Sequence, residues 1–310
     1  MTQVSPTVSG QPSPAVAIAL ISLSIAAFAL SDAIVKWVAG DFHFTQIILV
    51  RSIVAVPIAL LLLVRSGGFY RLRYVDHRFI LMRVVFGTTS FVTFIQALKA
   101  IPLAEAVAVS FAGPLFITAL SVPLLAEKVG PRRWAAVVIG FLGVVVILRP
   151  GAEVFQPAAL WALASAAFYA MAAIATRKLA MAASTSAILV WVNAYVLVIM
   201  AAGVIVLDSW VDPGWQDMAL LFGFALASTL GQYLGVEAFR RAAPSLLAPF
   251  DYTALVWAAL LGFLIWNEIP SWSLVAGSAV LVVSGLYILH RESTKARRPV
   301  TGSRGLRRWR

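Results

Sequence analysis

The chain of 310 residues contains no cysteine, and only 12% of its residues are charged. The absence of cysteine excludes disulfide bonds, thiolate metal sites and cysteine nucleophiles. With 61% hydrophobic residues and a mean hydropathy of +0.92, the chain has too little polar sequence to cover a soluble protein of this length. We therefore predict an all-α polytopic membrane protein.

Histidine is also scarce, and no nucleotide-binding motif is present. The three histidines, His43, His77 and His290, fall at predicted helix ends or in loops, where they form neither a triad nor a multi-histidine metal site inside the membrane. The chain has no Walker or glycine-rich phosphate loop, which excludes ATP as the energy source. We predict that the protein is not an enzyme, that it binds no cofactor or metal, and that a solute or proton gradient drives it.

Ten apolar segments are long enough to cross a bilayer. A spanning helix needs about 20 apolar residues to cross about 30 Å of hydrocarbon. The ten predicted helices are Val16–Trp37, Phe44–Val64, Phe79–Leu98, Pro102–Ala126, Arg133–Leu148, Pro157–Leu179, Ser184–Leu207, Trp215–Phe239, Pro244–Trp266 and Ser271–His290. The loops between them are too short to hold a soluble domain.

The fourth and ninth predicted helices follow one plan, which indicates an internal duplication. Each starts at a proline after a basic turn and ends at a glutamate; Pro102 and Pro244 lie 142 positions apart, and Glu127 and Glu268 lie 141 apart. A proline fits the first turn of a helix, where its missing N–H has no partner. We predict an N-terminal segment at 1–15, five-helix repeats at 16–149 and 150–290, and a basic tail at 291–310.

Lysine and arginine are concentrated on one side of the predicted membrane. Twenty of the 24 lie on the side of both termini, three lie on the other side, and Arg51 lies within a helix. Because basic residues favour the cytoplasmic side, we predict a protein of the inner membrane with both termini in the cytoplasm. The net charge of +11 then reflects the orientation of the chain in the membrane and does not indicate binding to nucleic acid. We expect a small-molecule substrate and membrane lipids as the partners. A homodimer stays open.

Five helices per repeat is an odd number, so the second repeat enters the membrane upside down relative to the first. An inverted repeat gives two related conformations, one open to each side, and places a site near the midplane. This architecture is typical of secondary transporters. It predicts transport by alternating access, with a membrane-embedded enzyme or lipid-handling protein as the alternative.

Charged residues inside the predicted helices are candidates for gating or coupling, because a charge in lipid is costly and usually faces a cavity or another charge. The spacing predicts two balanced layers, one toward each side, and places Asp32 one helical turn from Lys36, so that the two can pair. The alternative is that such residues are interfacial anchors or static pairs. The outer layer comprises Asp32, Lys36, Arg51 and Glu105, and the inner layer comprises Arg177, Glu237, Arg240 and Asp251.

A neutral polar belt between these layers supplies candidates for binding the substrate. Most of them share faces of the third and eighth predicted helices, and the others lie in the middle of the sixth and ninth. The hydroxyl groups of the serine and threonine residues could instead form hydrogen bonds within their own helix or with a neighbouring helix. The candidates are Thr89, Thr93, Gln96, Tyr169, Ser228, Gln232, Tyr233 and Trp257.

Residues 16–290 resemble the drug/metabolite transporter superfamily, specifically its bacterial EamA-type members. The resemblance rests on the proline and glutamate that bound the fourth helix of each repeat, on Asp32-Ala-Ile-Val-Lys36 and Arg51, and on Pro102-Leu-Ala-Glu105-Ala followed by Phe111-Ala-Gly-Pro114. It implies transport of a small polar or amphipathic metabolite such as an amino acid, with S-adenosylmethionine or riboflavin as the alternative substrates.

Overall fold

The computed structural model describes residues 14–125, 129–149, 157–180, 182–242 and 244–296. Within these ranges the chain forms twelve α-helices and one 3-10 helix, and it contains no strand. The α-helices are α1 (Pro14–Val38), α2 (Phe44–Arg65), α3 (His77–Ala100), α4 (Leu103–Ser110), α5 (Gly113–Leu125), α6 (Pro131–Leu148), α7 (Ala159–Ala180), α8 (Thr185–Val206), α9 (Trp215–Arg241), α10 (Pro244–Asp251), α11 (Thr253–Trp266) and α12 (Trp272–Ala296). The 3-10 helix η1 (Phe69–Tyr74) lies between α2 and α3.

These helices form the ten predicted membrane spans. In the described part of the chain, nine spans are long and apolar enough to cross a membrane, and the shorter apolar segment Trp272–Ile288 within α12 is the tenth. The fourth span, Leu103–Leu124, contains both α4 and α5, and the ninth contains α11 and the end of α10. Glu127, which marks the end of the fourth span in the sequence, lies outside the described residues.

The fourth and ninth spans are both interrupted at equivalent places. The first break lies at Phe111 and Ala112, and the second lies at Tyr252, 141 residues after Phe111. Pro114 follows the first break and has no N–H to bond back across it. At the second break the hydroxyl of Thr253 donates to the carbonyl of Phe250 at 2.7 Å and thereby competes with the helical pattern. Breaks of this kind occur in transporter helices that surround a substrate site.

The helices pack mainly across the two repeats, and the packing obeys a pseudo-two-fold relation. The pairing of α1 with α9 is matched by that of α7 with α3, and α2 and α6 pair with their own counterparts α8 and α12. The contact of α1 with α11 is likewise matched by that of α7 with α5. This exchange of partners confirms the two inverted five-helix repeats.

Small residues bring α6 and α12 into close contact. A Cβ atom on Gly277 would lie 2.6 Å from the carbonyl oxygen of Gly143, and Ser284 donates to the carbonyl of Ala136 at 2.5 Å. Without a hydrophobic driving force between helices in lipid, such close backbone packing is a main source of stability.

We expect Gly277→Val to destabilise this helix pair by about 1 to 3 kcal/mol, because the added carbons overlap the backbone of α6. The measurement is the midpoint of thermal unfolding in detergent. Gly130→Ala is the matched control, since no atom lies within 4 Å of its added Cβ. Equal midpoints for both variants would show that the close contact does not stabilise the fold.

The largest cluster of buried apolar residues covers the end of the molecule where α1 ends and α9 begins, which is the outer end in the predicted topology. This cluster joins both repeats through Val38, Leu98, Leu221 and Leu274, and it continues along α6 and α12 to Ala136 and Ile288. Toward the inner end two smaller clusters pack separately. One, with Leu63, Ile80 and Leu179, joins α2, α3 and α7 to α8, and the other, with Ile21, Ala238 and Leu247, joins α1, α9 and α10. The buried apolar packing is therefore shared by both repeats at the outer end and divided between these two clusters at the inner end.

Candidate functional site

An ion pair between the two repeats lies at the closed outer end. The Nζ atom of Lys36, at the end of α1, lies 2.5 Å from Oε1 of Glu268, just beyond α11. The other carboxylate oxygen of Glu268 accepts from the backbone N–H of Leu103 at 2.9 Å, and Lys36 also donates to the carbonyl of Ile101 at 2.9 Å. The two charged side chains are only 10% and 21% exposed. One ion pair thus joins α1, the start of α4 and the end of α11.

Two tryptophans cover this ion pair. The ring of Trp266 lies 5.1 Å from the Nζ atom of Lys36, and it lies 6.0 Å from the ring of Trp37. Glu105 and Arg149 are close enough to interact electrostatically with the same group of charges, and Arg149 bonds the hydroxyl of Ser273. The outer end therefore carries a shielded network of charges that spans both repeats.

Of the four residues assigned to the outer layer, the structure brings Lys36 and Glu105 together at this end. Lys36 does not pair with Asp32, as the sequence predicted, because Glu268 reaches it from the other repeat. Sequence reasoning missed Glu268 as the partner of Lys36 and used it only as a marker of the helix end. The repeat carried a signal for this pairing, because each half has a carboxylate at the end of an apolar segment and such a carboxylate needs a partner.

A cavity of about 150 Å³ lies between α1, α4, α10 and α11. Two carboxylates, those of Asp32 and Asp251, line it together with apolar side chains that include Phe28, Val107 and Ala258. The sequence placed Asp32 in the outer layer and Asp251 in the inner layer, whereas the structure brings them to one cavity. Apolar walls around two carboxylates give a site that favours a cationic group.

A basic group of residues lies on α2 and α3, which do not line this cavity. Arg51 on α2 and Arg83 on α3 are within electrostatic range of each other, and Arg83 interacts with Tyr169 on α7. Tyr169 also interacts with Asp251, so this tyrosine links the basic group to the acidic cavity. Arg83 folds back over Gly87 toward the middle of α3. Sequence reasoning counted Arg83 as a cytoplasmic residue, although its position inside the third apolar segment was a signal of a deeper role.

The two helix breaks meet beside these charges. The ring of Phe111 at the first break lies 5.2 Å from the ring of Tyr252 at the second break. A Cβ atom on Gly113, at the start of α5, would lie 3.2 Å from the ring of Tyr169. Tyr169 is nevertheless 53% exposed in the middle of its helix, so it faces open space and not a packed core. The breaks and Tyr169 therefore border the cleft that opens between the inner clusters.

The remaining residues of the predicted inner layer lie near the inner helix ends. Glu237 pairs with Arg241, one helical turn away on α9. Arg177 is exposed in the last turn of α7, where it has a polar interaction. The side chain of Arg240 lies outside the described residues.

The predicted binding residues divide into three groups. Thr93 and Ser228 are buried and donate to carbonyls of their own helices, those of Thr89, Ser90 and Ala225, which is a packing role. Tyr169 faces the central cleft, as described above. The other five residues lie elsewhere. Gln232 and Tyr233 line a narrow groove between α2, α8 and α9, and Thr89 and Gln96 are partly buried on α3. Trp257 shares an exposed face of α11 with Leu260 and Leu264.

Among the described residues, no group of three or more histidine, aspartate or glutamate side chains could hold a metal ion. The titratable groups described at the centre are two carboxylates, two guanidinium groups and a phenol.

Comparisons with known proteins agree with this architecture. A profile of the EamA-like transporter family matches residues 15–149 and 156–290. A riboflavin transporter of Vibrio cholerae is 30% identical over 276 residues, which cover 88% of this chain and 92% of that protein. An S-adenosylmethionine uptake transporter of Rickettsia prowazekii is 27% identical, over 87% of this chain and 91% of that protein. A crystal structure with 20% sequence identity has the same fold, with a TM-score of 0.61 over 92% of this chain.

Proposed function

The chain belongs to the EamA-like transporter family, and we propose that it carries an amino acid or a related zwitterionic metabolite across the inner membrane by alternating access. Similarity over most of the chain to two transporters of small metabolites supports transport over the alternative of a membrane enzyme or lipid-handling protein. The observation that supports the choice of substrate is a cavity with two carboxylates, Asp32 and Asp251, that is linked through Tyr169 to the guanidinium group of Arg83.

The closed outer end and the parted inner end support alternating access. The ion pair of Lys36 and Glu268 and the large apolar cluster seal one end, while the cleft between the two smaller clusters leads to the other. In an inverted-repeat protein the second conformation exchanges the arrangements of the two repeats, so that the inner end closes and the outer end opens. If both termini lie in the cytoplasm, the conformation described here, with its outer end closed, is open to the cytoplasm. The distribution of basic residues supports that orientation.

The charges of the centre fit a molecule with an ammonium group at one end and a carboxylate nearby. The ammonium group would enter the cavity of Asp32 and Asp251, and the carboxylate would face Arg51 and Arg83. Guanidinium groups bind carboxylates with two parallel hydrogen bonds, which makes them suited to this role. At about 150 Å³ the cavity is smaller than a whole ligand site, so it receives one end of the solute while the rest occupies the cleft.

S-Adenosylmethionine carries an ammonium, a sulfonium and a carboxylate, so it fits the same arrangement of charges. Riboflavin is uncharged at neutral pH and would leave the two carboxylates without a partner, at a cost in free energy when water is excluded. The arrangement therefore favours the amino-acid class, S-adenosylmethionine included, over a flavin.

The test is uptake into proteoliposomes that contain only this protein. The panel consists of leucine, phenylalanine, S-adenosylmethionine, riboflavin, and phenylalanine blocked either at its amine by acetylation or at its carboxylate as the amide. We expect transport of a zwitterion and at least about tenfold less transport of its two blocked forms. Transport of riboflavin in preference to every zwitterion would overturn the choice of substrate, and no transport of any solute would overturn the proposal as a whole.

A further inference from the structure

The segment between α2 and α3 presents arginines and aromatic rings together on the surface. Residues 65–78 contain four arginines and one acid. Phe69 and Tyr70, at the start of η1, are both 60% exposed. The one acid, Asp76, caps α3 by accepting from the backbone N–H of Arg78 at 2.9 Å. The segment is therefore strongly basic. The four arginines are Arg65, Arg71, Arg73 and Arg78.

This segment is held firmly against the second repeat. The indole N–H of Trp191 on α8 donates to the carbonyl of Leu72 at 3.1 Å, and Leu72 and Val75 pack with the buried cluster of α2, α3 and α8. The turn before η1 has φ angles of 128° at Gly67 and 91° at Gly68, which glycine adopts without strain. The surface is thus fixed in shape before any ligand arrives.

Arg71 is held in place within this surface. Its guanidinium lies against Gly67, where an added Cβ would come within 2.8 Å of Nε, and its Cζ lies 5.9 Å from the centre of the Tyr70 ring. A guanidinium that is already positioned loses less conformational entropy when it binds an anion.

The position of η1 places this surface at the level of the lipid headgroups. One membrane span ends at Arg65 and the next begins at His77, so η1 lies between two adjacent entries into the bilayer. Exposed aromatic rings are typical of this interface, and arginines close to it are attracted to anionic lipids. The loop at the opposite end of the protein, residues 207–214, carries Asp208 and Asp212 and no basic residue, so this loop does not attract anionic lipids.

We propose that η1 and its flanking arginines form a binding site for the phosphate headgroups of anionic phospholipids. The guanidinium groups of Arg71 and Arg73 bind the phosphate oxygens, and Phe69 and Tyr70 enter the interface beside the glycerol backbone. The site is separate from the central cavity, so it does not depend on which solute the protein carries.

The test is native mass spectrometry of the full chain in detergent, titrated with phosphatidylglycerol or with phosphatidylcholine. We expect tighter binding of phosphatidylglycerol, and a loss of about fivefold in its affinity for each arginine removed, hence about 25-fold for Arg71→Gln with Arg73→Gln. The matched control removes the same charge elsewhere, in Lys99→Gln with Arg132→Gln, and retains the affinity.

Equal affinity for the two lipids in the wild-type protein would overturn the proposal. An equal loss of affinity in the control variant would also overturn it, because the attraction would then come from net charge and not from a site. Unfolding midpoints measured without added lipid check that both double variants fold, and Tyr70→Leu provides a further variant that keeps every charge and is expected to bind phosphatidylglycerol more weakly.

Discussion

Replacing Glu268 with glutamine is expected to open the outer end of the protein. The change removes the negative charge that compensates the largely buried ammonium group of Lys36, which then has only neutral hydrogen-bond acceptors, the carbonyl of Ile101 and the amide oxygen of the new glutamine. Removing one partner of a buried ion pair costs about 3 kcal/mol or more, and the cost falls only on the conformation in which water is excluded. The equilibrium therefore shifts toward the outward-open conformation, and transport slows because the outer end no longer closes.

Labelling of a single cysteine measures this shift. The natural chain has no cysteine, so a cysteine in place of Val107, on the wall of the central cavity, reacts without background. We expect a membrane-impermeant maleimide added from outside to label it at least about tenfold faster when Glu268→Gln is present. Lys99→Gln, which removes an exposed charge near the same end, serves as the control.

A double variant distinguishes the effect of an unpaired buried charge from the effect of losing the ion pair. Replacing both Lys36 and Glu268 with methionine removes the ion pair without leaving a buried charge, and such exchanges are often neutral for stability. We expect slow labelling to return in this double variant. Unchanged labelling in Glu268→Gln would show that the ion pair does not control closure of the outer end, and fast labelling in the double variant would show that the outer end opens even without an unpaired buried charge.

Replacing Asp251 with asparagine is expected to weaken binding of the zwitterionic substrate by about 30- to 100-fold. This corresponds to about 2 to 3 kcal/mol, which is typical when one partner of a buried charge pair is truncated. The same change should leave the affinity for the N-acetylated substrate nearly unchanged, since that molecule has no ammonium group to place between Asp32 and Asp251.

The reciprocal result is expected for Arg51→Gln. It should weaken binding of the zwitterion but have little effect on the carboxamide, which lacks the anionic end. Competition against a radiolabelled substrate in detergent measures all four affinities without requiring transport. Asp208→Asn is the control, because this aspartate lies at an outer helix end in a left-handed conformation that asparagine also adopts. If both variants weakened all ligands alike, the charges would be structural and would not select the ends of the substrate.

The position of each residue along its helix could be predicted from the sequence, whereas its neighbours could not. The apolar segments and the repeat place Lys36 near the outer end and Asp251 two turns into its helix, and the structure agrees with both. Sequence periodicity does not specify which helices meet. For this reason Asp32 was matched with Lys36, four residues away, although Glu268 is the partner of Lys36 in space.

The helix breaks show a second limit of the same kind. Gly113 and Pro114 disfavour a continuous helix in the fourth span, and Pro249 followed by Phe250-Asp-Tyr-Thr253 does so in the ninth. The sequence therefore carries a local signal for each break. It does not reveal that Tyr252 and Phe111 meet across the two repeats, which is a tertiary contact that only the structure shows.

The packing of each helix against the other repeat also determines when the protein can assemble during its synthesis. Helices α1 to α6 leave the ribosome first, yet the main partners of α1, α2, α3 and α6 are α9, α8, α7 and α12. Helices of the first half that have entered the bilayer therefore have lipid, and not protein, along the faces that will later be buried. The contact of α6 with α12 can form only after the last span has been made, so the nascent chain stays unassembled for most of its translation.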